Sequence, residues 1–270
     1  MTMKNFKQQG LSLIELMVST AVGMIILAGV SSVYMSTLTS TSSTLKASKL
    51  NQELSTLMSV MTADIHRAGV WGATSFATPQ NNPFSQVNTT ALEVVYGIGN
   101  DNPIPEANYV ADVGSCIVYT YDANLDGVLD NGDIMGFRLN NGVVEMRQSG
   151  DIVNNAAHIS CNNANDTWIA VTDSRLVTVT QLDISLKDSE CINTREPNDV
   201  DDDLDGDPFD NNAEMDCYDP AMVPTVGGGN ITVETRNIDI ALAGELASDG
   251  TVNVQLNQSV RVRNDLVRIR

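Results

Sequence analysis

The stretch from Leu11 to Met35 carries a single charge, Glu15, and is long enough to cross a membrane as one helix. Residues 1–10, MTMKNFKQQG, form a short polar leader with Lys4 and Lys7, which puts the positive end on the inner side. A secretory signal has its small-residue cleavage site after the apolar stretch. Here Gly10 stands before it, so a cut at Gly10 leaves the apolar stretch in the mature chain. A carboxylate on a spanning helix costs roughly 2.5–3.5 kcal/mol on insertion scales and marks a function by default. Glu15 therefore needs a positive partner. If the chain is cut between Gly10 and Leu11, the new α-amino group lies about one helical turn away. The same amine on a neighbouring chain is also within reach, and a pair between chains would set their axial register.

The helical pattern continues past the apolar stretch. Leu50, Leu54, Leu57, Met58, Met61 and Ile65 recur at spacings of three and four, a stripe that must pack on a globular head. Ala68-Gly69 gives the stop, with Gly69 in a left-handed cap. Beyond Gly69 the periodicity becomes short alternating runs rich in Val, Ile, Thr and Tyr, set apart by Asn, Asp and Gly clusters. Strands are predicted at Leu92–Tyr96, Cys116–Tyr121, Ile134–Leu139, Val143–Arg147, Trp168–Val171, Val177–Leu186, Ile231–Thr235, Ile238–Leu242, Val252–Leu256 and Val260–Arg263. A loop is predicted at Val226–Asn230. The fold class is α+β, with a long N-terminal helix packed on a mainly antiparallel head. The organisation is leader 1–10, helix 11–68 (11–38 transmembrane or filament core, 39–68 amphipathic) and β-rich head 69–270. With 270 residues, 42% of them hydrophobic, the chain can bury a core.

A formal net charge of -19 argues against nucleic acid as a partner, since phosphate binding needs clustered Lys and Arg. Cys116, Cys161, Cys191 and Cys217 all follow the apolar stretch and form no C-x-x-C pair. That favours two disulfides in an oxidising compartment over a zinc site, with reduced buried thiols as the alternative. Of the three connectivities, Cys116 with Cys161 and Cys191 with Cys217 is the simplest. Asp122, Asn124, Asp126, Val128, Asp130 and Asp133 stand at positions 1, 3, 5, 7, 9 and 12 of a calcium-loop pattern, with Gly127 at position 6. Asp133 replaces the usual longer Glu and the flanks are strands, so the pattern implies a weak site, and the alternative is a polar hairpin turn around Asp126-Gly127. A second acidic run holds Asp201, Asp203, Asp205, Asp207 and Asp210, a second candidate calcium loop or a solvated loop between cysteines. His66 and His158 sit in no Ser, Cys or metal-ligand motif, and no constellation meets the criteria for catalysis.

Gly10-Leu11-Ser12-Leu13-Ile14-Glu15-Leu16 closely resembles the prepilin signature, a Gly before an apolar stretch with Glu as the fifth mature residue. It identifies the chain as a member of the type IV pilin-like prepilins. The resemblance implies that a membrane-embedded prepilin peptidase cuts between Gly10 and Leu11 and methylates the new N-terminus. It also implies that the first half of the helix moves from the bilayer into a bundle of similar helices, with Glu15 setting stagger. The first mature residue, more often Phe, is Leu11 here, and the Pro that many major pilins carry partway along the segment is absent before Pro79.

Within that group, Asp64-Ile65-His66-Arg67-Ala68-Gly69-Val70-Trp71-Gly72 and Ser259-Val260-Arg261-Val262-Arg263-Asn264 resemble the PilW minor pilins. That implies a place in a minor-pilin complex that primes pilus assembly and stays at the tip, supporting adhesion and twitching motility. The implied partners are other minor pilins, the major pilin, the inner-membrane assembly platform and a tip adhesin. The implied location is the inner membrane with a periplasmic head, and then the cell surface. A major pilin, a minor pseudopilin of a type II secretion system and a membrane-tethered periplasmic binding domain remain as alternatives.

Overall fold

The computed structural model describes residues 12–72, 81–86, 89–153, 156–157, 160–193 and 231–269. The chain divides into two compact units, Met1–Ser48 and Lys49–Arg270. One helix, α1 (Leu13–Ile65), contributes to both. In the first unit it exposes nearly every large apolar side chain, from Leu13 through Leu38 and Leu45. An 18-residue window has mean hydropathy 2.2 with none of it buried.

In the second unit α1 buries Leu50, Leu54, Leu57, Met58, Met61 and Ile65, the stripe that the periodicity predicts. Full burial of each such side chain stabilises by about 1.5–3 kcal/mol. The head contains strands β1 (Glu93–Gly97), β2 (Asn100–Pro103), β3 (Cys116–Thr120), β4 (Ile134–Asn140), β5 (Val143–Ser149), β6 (Ile152–Val153), β7 (Ala156–Ala157), β8 (Thr167–Ala170), β9 (Val177–Ser185), β10 (Glu190–Asn193), β11 (Ile231–Thr235), β12 (Asn237–Leu246), β13 (Asp249–Arg261) and β14 (Leu266–Ile269). All pairings among them are antiparallel. One sheet has the order β2-β1-β3-β4-β5-β8, two more run β10-β11-β14 and β13-β12-β9, and β6 pairs with β7. Val94, Ile117, Tyr119 and Phe137 from the first sheet meet Val179, Leu182, Ile184, Ile238, Ile240 and Leu242 from the β9-β12-β13 sheet around the helix stripe.

Several predicted boundaries move. The helix stops at Ile65 rather than Ala68, because the chain tightens into i→i+3 bonds, Arg67 N–H to Asp64 O and Ala68 N–H to Ile65 O. Gly69 has φ +74° and donates its N–H to Thr120 O at 2.8 Å, which ties the helix exit to the end of β3. A Cβ there would meet Ser85 Oγ at 2.6 Å, so a side chain is excluded by both space and backbone. The two strands predicted at Val252–Leu256 and Val260–Arg263 are one strand, β13, paired continuously with β12 through the polar Asn257-Gln258-Ser259. Strand β2 reads as a turn, Asn-Asp-Asn-Pro, but lies at a sheet edge, where Pro costs no ladder bond. The Val226–Asn230 loop lies outside the described residues.

A satellite core of Val95, Cys116, Val118 and Cys161, with Trp168 against it, surrounds the Cys116–Cys161 disulfide. Trp168 lies between two guanidiniums, Arg138 at 4.2 Å and Arg147 at 4.7 Å from its ring centre. Arg147 pairs with Asp166 at 2.5 Å, both side chains fully buried. The disulfide joins residues 45 apart. Replacing both cysteines with Ser should lower the unfolding free energy by about 2–4 kcal/mol. A urea midpoint equal to that of the oxidised wild type would mean that the bond contributes nothing. Cys191 is also disulfide-bonded, and its expected partner Cys217 lies outside the described residues.

Glu93 is buried near Glu234, Glu106, Arg236 and Arg268. Desolvation is the largest cause that raises its pKa, from 4.5 to about 7, with the pull of Arg236 opposing it. Between those values the folded protein holds a proton that the unfolded chain releases, so stability falls as pH rises from 4.5 through about 7. The contribution is at most on the order of 3 kcal/mol. Urea unfolding at pH 5 and pH 7.5 should therefore show a smaller difference for Glu93→Gln than for the wild type, and an equal difference would refute the assignment.

Candidate assembly site

Helix α1 begins just after Ser12, and Glu15 lies in its first turn. The spacing Ser12-x-x-Glu15 suits a capping box, in which a Glu at the third helical position reaches back to the cap residue's amide. The Ser12 N–H does donate to Glu15 Oε2, at 3.2 Å. Sequence reading missed this arrangement, although its S-x-x-E signal was present. The carboxylate is therefore held at the very start of the helix and points back along it, toward the position from which the chain enters. Gly10 and Leu11 lie outside the described residues.

Among the described residues the apolar surface that follows has no partner within its own unit, and several hydroxyls along it bond to the helix's own backbone. Ser19 Oγ donates to Glu15 O at 2.6 Å, and Thr20, Thr37, Thr39 and Thr41 make the same kind of backbone bond. From Leu13 to Val30 the helix presents little beyond hydrocarbon and one carboxylate to its surroundings. It can enter lipid or a bundle of like helices.

At its other end α1 is fixed to the head by Asp64, which sequence reading placed in a motif without a role. Tyr119 Oη donates to Asp64 Oδ2 at 2.6 Å and Tyr121 Oη to Asp64 Oδ1 at 2.8 Å. Arg67 stands 3.4 Å from Asp64 Oδ1 and lies 4.0 Å over the Tyr121 ring. Burial, followed by the Asp64 carboxylate, pushes both phenol pKa values up, so both hydroxyls stay protonated donors. His66, expected on the helix, sits just past its end. Its Nδ1 contacts Arg261 O at 2.6 Å and its Nε2 accepts from Arg263 Nε at 2.9 Å, which joins the helix exit to the end of β13. This is the tautomer with the proton on Nδ1. His158 lies outside the described residues.

In the loop between β3 and β4 the second and twelfth positions come together: Ala123 N–H donates to Asp133 Oδ1 at 2.9 Å. The loop's oxygens serve its own backbone. Asp122 accepts from Gly72, Asp126 and Gly127, Asn124 from Asp126, Asp126 from Val128, Asp130 from Gly132, and Asp133 also from Asp130. Among the described residues no three His, Cys, Asp or Glu side chains gather as a metal-ligand set. As folded the loop is a turn whose carboxylate and amide oxygens accept backbone N–H groups. The second acidic run, Asp201, Asp203, Asp205, Asp207 and Asp210, lies outside the described residues.

An exposed apolar N-terminal helix that begins on a lone carboxylate, continues into a buried stripe and carries an antiparallel head defines a type IV pilin-like prepilin. A model of the prokaryotic N-terminal methylation motif matches residues 5–31, which include Gly10, Leu11 and Glu15. The model of prepilin peptidase-dependent protein B matches residues 43–262, most of the chain, and the chain belongs to that family. No curated protein and no solved structure matches it. Proteins of this class are structural, are processed by prepilin peptidase and work with pilus or pseudopilus partners.

Proposed function

We propose that the chain is a minor pilin of the PilW type, part of the complex that primes pilus assembly and stays at the tip, where it supports adhesion and twitching motility. The observation that carries this reading is the division of α1 into an exposed apolar half headed by Glu15 and a buried half fixed to a large head. The first half supplies what a filament core requires, and the head supplies a surface for neighbours. Prepilin peptidase cuts between Gly10 and Leu11 and methylates Leu11. Glu15 then exchanges its bond to the Ser12 amide for the α-amino group of Leu11 on its own chain or a neighbouring one. The pair sets the stagger as the helix leaves the bilayer through the inner-membrane platform. Other minor pilins, the major pilin and a tip adhesin meet the head.

Deletion of the gene tests the reading, scored together for surface filaments by electron microscopy and for secretion of a type II substrate. Loss of filaments with secretion intact supports the minor pilin. Lost secretion with filaments intact makes the chain a pseudopilin, and no change in either favours a tethered binding domain. Calcium at Asp122–Asp133 is a separate proposal, in which a cation displaces the loop's own amides from a loop that the Ala123–Asp133 contact already closes. A head fragment whose melting temperature rises in millimolar calcium supports that proposal, and an unchanged one removes it.

A further inference from the structure

Among the described residues the sheet edges of this head are short or already used, with one exception. β2 spans four residues with Asp101 and Pro103, and β8 spans four. β10 and β14 span four each and carry Glu190 and Arg268. The outer side of β9 is engaged through its bridge from Ile184 to Gly114 and through Val179 N–H on Gly142 O. β13 is 13 residues long and pairs on one side only, with β12. Among the described residues no backbone group pairs with its outer edge between Gly250 and Val260.

Beyond the register shift at its start, opposite Glu245 and Leu246, that edge lacks the devices that keep edges apart. From Gly250 to Val260 it holds neither a Pro nor a charged residue, in a chain with 34 acidic and 15 basic side chains. Val252, Val254 and Leu256 pack against the core, while Asn253, Gln255 and Asn257 are exposed on the other face. An ordered, unguarded, uncharged edge of this length is a template for strand addition, in which main-chain bonds give affinity and alternate side chains give selectivity.

Charge decides what the template takes. A second copy would bring another formal -19 against the first, so self-pairing is opposed. We propose that the outer edge of β13 receives an extended, uncharged or basic strand from a different subunit of the same assembly, joining two heads by backbone pairing. The partner's identity as a fellow subunit rests on the assembly role above; the edge itself does not.

The test uses the full-length chain in the deletion strain, with p-benzoylphenylalanine in place of Gln255 as a photo-crosslinker. Two triple variants accompany it: Asn253→Lys/Gln255→Lys/Asn257→Lys, which guards the edge with charge, and Asn253→Thr/Gln255→Thr/Asn257→Thr, which keeps it competent to pair. All three positions are exposed, and wild-type amounts with the Cys116–Cys161 bond formed show that the variants fold. The expected result is a crosslink to a different subunit, function lowered about tenfold or more by the lysines, the loss that follows from roughly 1.4 kcal/mol of pairing, and function kept by the threonines. Full function in the lysine variant overturns the proposal, as does equal loss in both variants or a crosslink to a second copy or within the chain. If deletion has no phenotype, the assembly reading fails while the crosslink still decides the edge.

Discussion

Glu15→Ala should be cleaved normally yet enter filaments about a hundredfold less than the wild type, whereas Gly10→Ala should remain uncleaved. The two variants separate processing from assembly. Cleavage, on the proposed reading, depends on Gly10 and its flanks, so neutralising a side chain five residues on should leave the cut intact. Assembly, on the proposed reading, depends on a charge pair that forms in hydrocarbon. Removing one member of such a pair leaves the other uncompensated, at a cost of about 3–5 kcal/mol, and every 1.4 kcal/mol is tenfold in occupancy. The helix itself should persist, since the Ser12 amide lost from Glu15 Oε2 is one bond at a helix end. An immunoblot of membrane and sheared-filament fractions, with the uncleaved form resolved from the processed one, reads both effects. Wild-type incorporation of both variants would remove Glu15 and Gly10 from the mechanism.

Asp64→Ala should destabilise the head by about 2–5 kcal/mol, because it leaves two phenol hydroxyls without their acceptor. Tyr119 is 1% exposed and Tyr121 3%, so water offers little replacement. Asp64→Asn keeps one carbonyl oxygen and should recover part of the loss. Tyr119→Phe together with Tyr121→Phe tests the network from the other side and should cost less per bond, since Asp64 retains Arg67. Urea unfolding of a fragment beginning at Lys49 measures all three. If Asp64→Ala left the midpoint unchanged, the network would be incidental to the attachment of the helix.

What could be read in advance was whatever depends on local spacing. The helix stripe from Leu50 to Ile65 keeps a regular period, and all six of its residues are buried. β11 has the predicted bounds, and β3, β4, β5 and β9 differ from theirs by no more than two residues at either end. Edges were harder, since alternation fades where both faces of a strand are wet. That is why β13 looked broken at Asn257-Gln258-Ser259 and why β2 and β14 were not foreseen. β12 was expected to end at Leu242 but runs to Leu246 across Gly244, where a Cβ would stand 3.3 Å from Leu54. The Asp64 network was invisible for another reason. Its partners lie 55 and 57 residues away, and no periodicity reports a contact at that range. The prepilin signature was legible because its meaning lies in order along the chain: leader, Gly, hydrocarbon, one acid.

The attachment of α1 at Asp64 has a mechanical consequence. A force along the axis of the buried part of α1 meets the head in shear, with the stripe from Leu50 to Ile65 and the two phenol bonds at its far end loaded together. Contacts loaded in parallel share the strain, whereas contacts opened one by one fail at the force of the weakest. Asp64 bonds to β3, which has strands on both sides in the six-stranded sheet, so the force spreads into a ladder of backbone bonds instead of concentrating on a single loop. A subunit joined in this way is suited to traction: it should give way by sliding of the whole helix face, late and all at once.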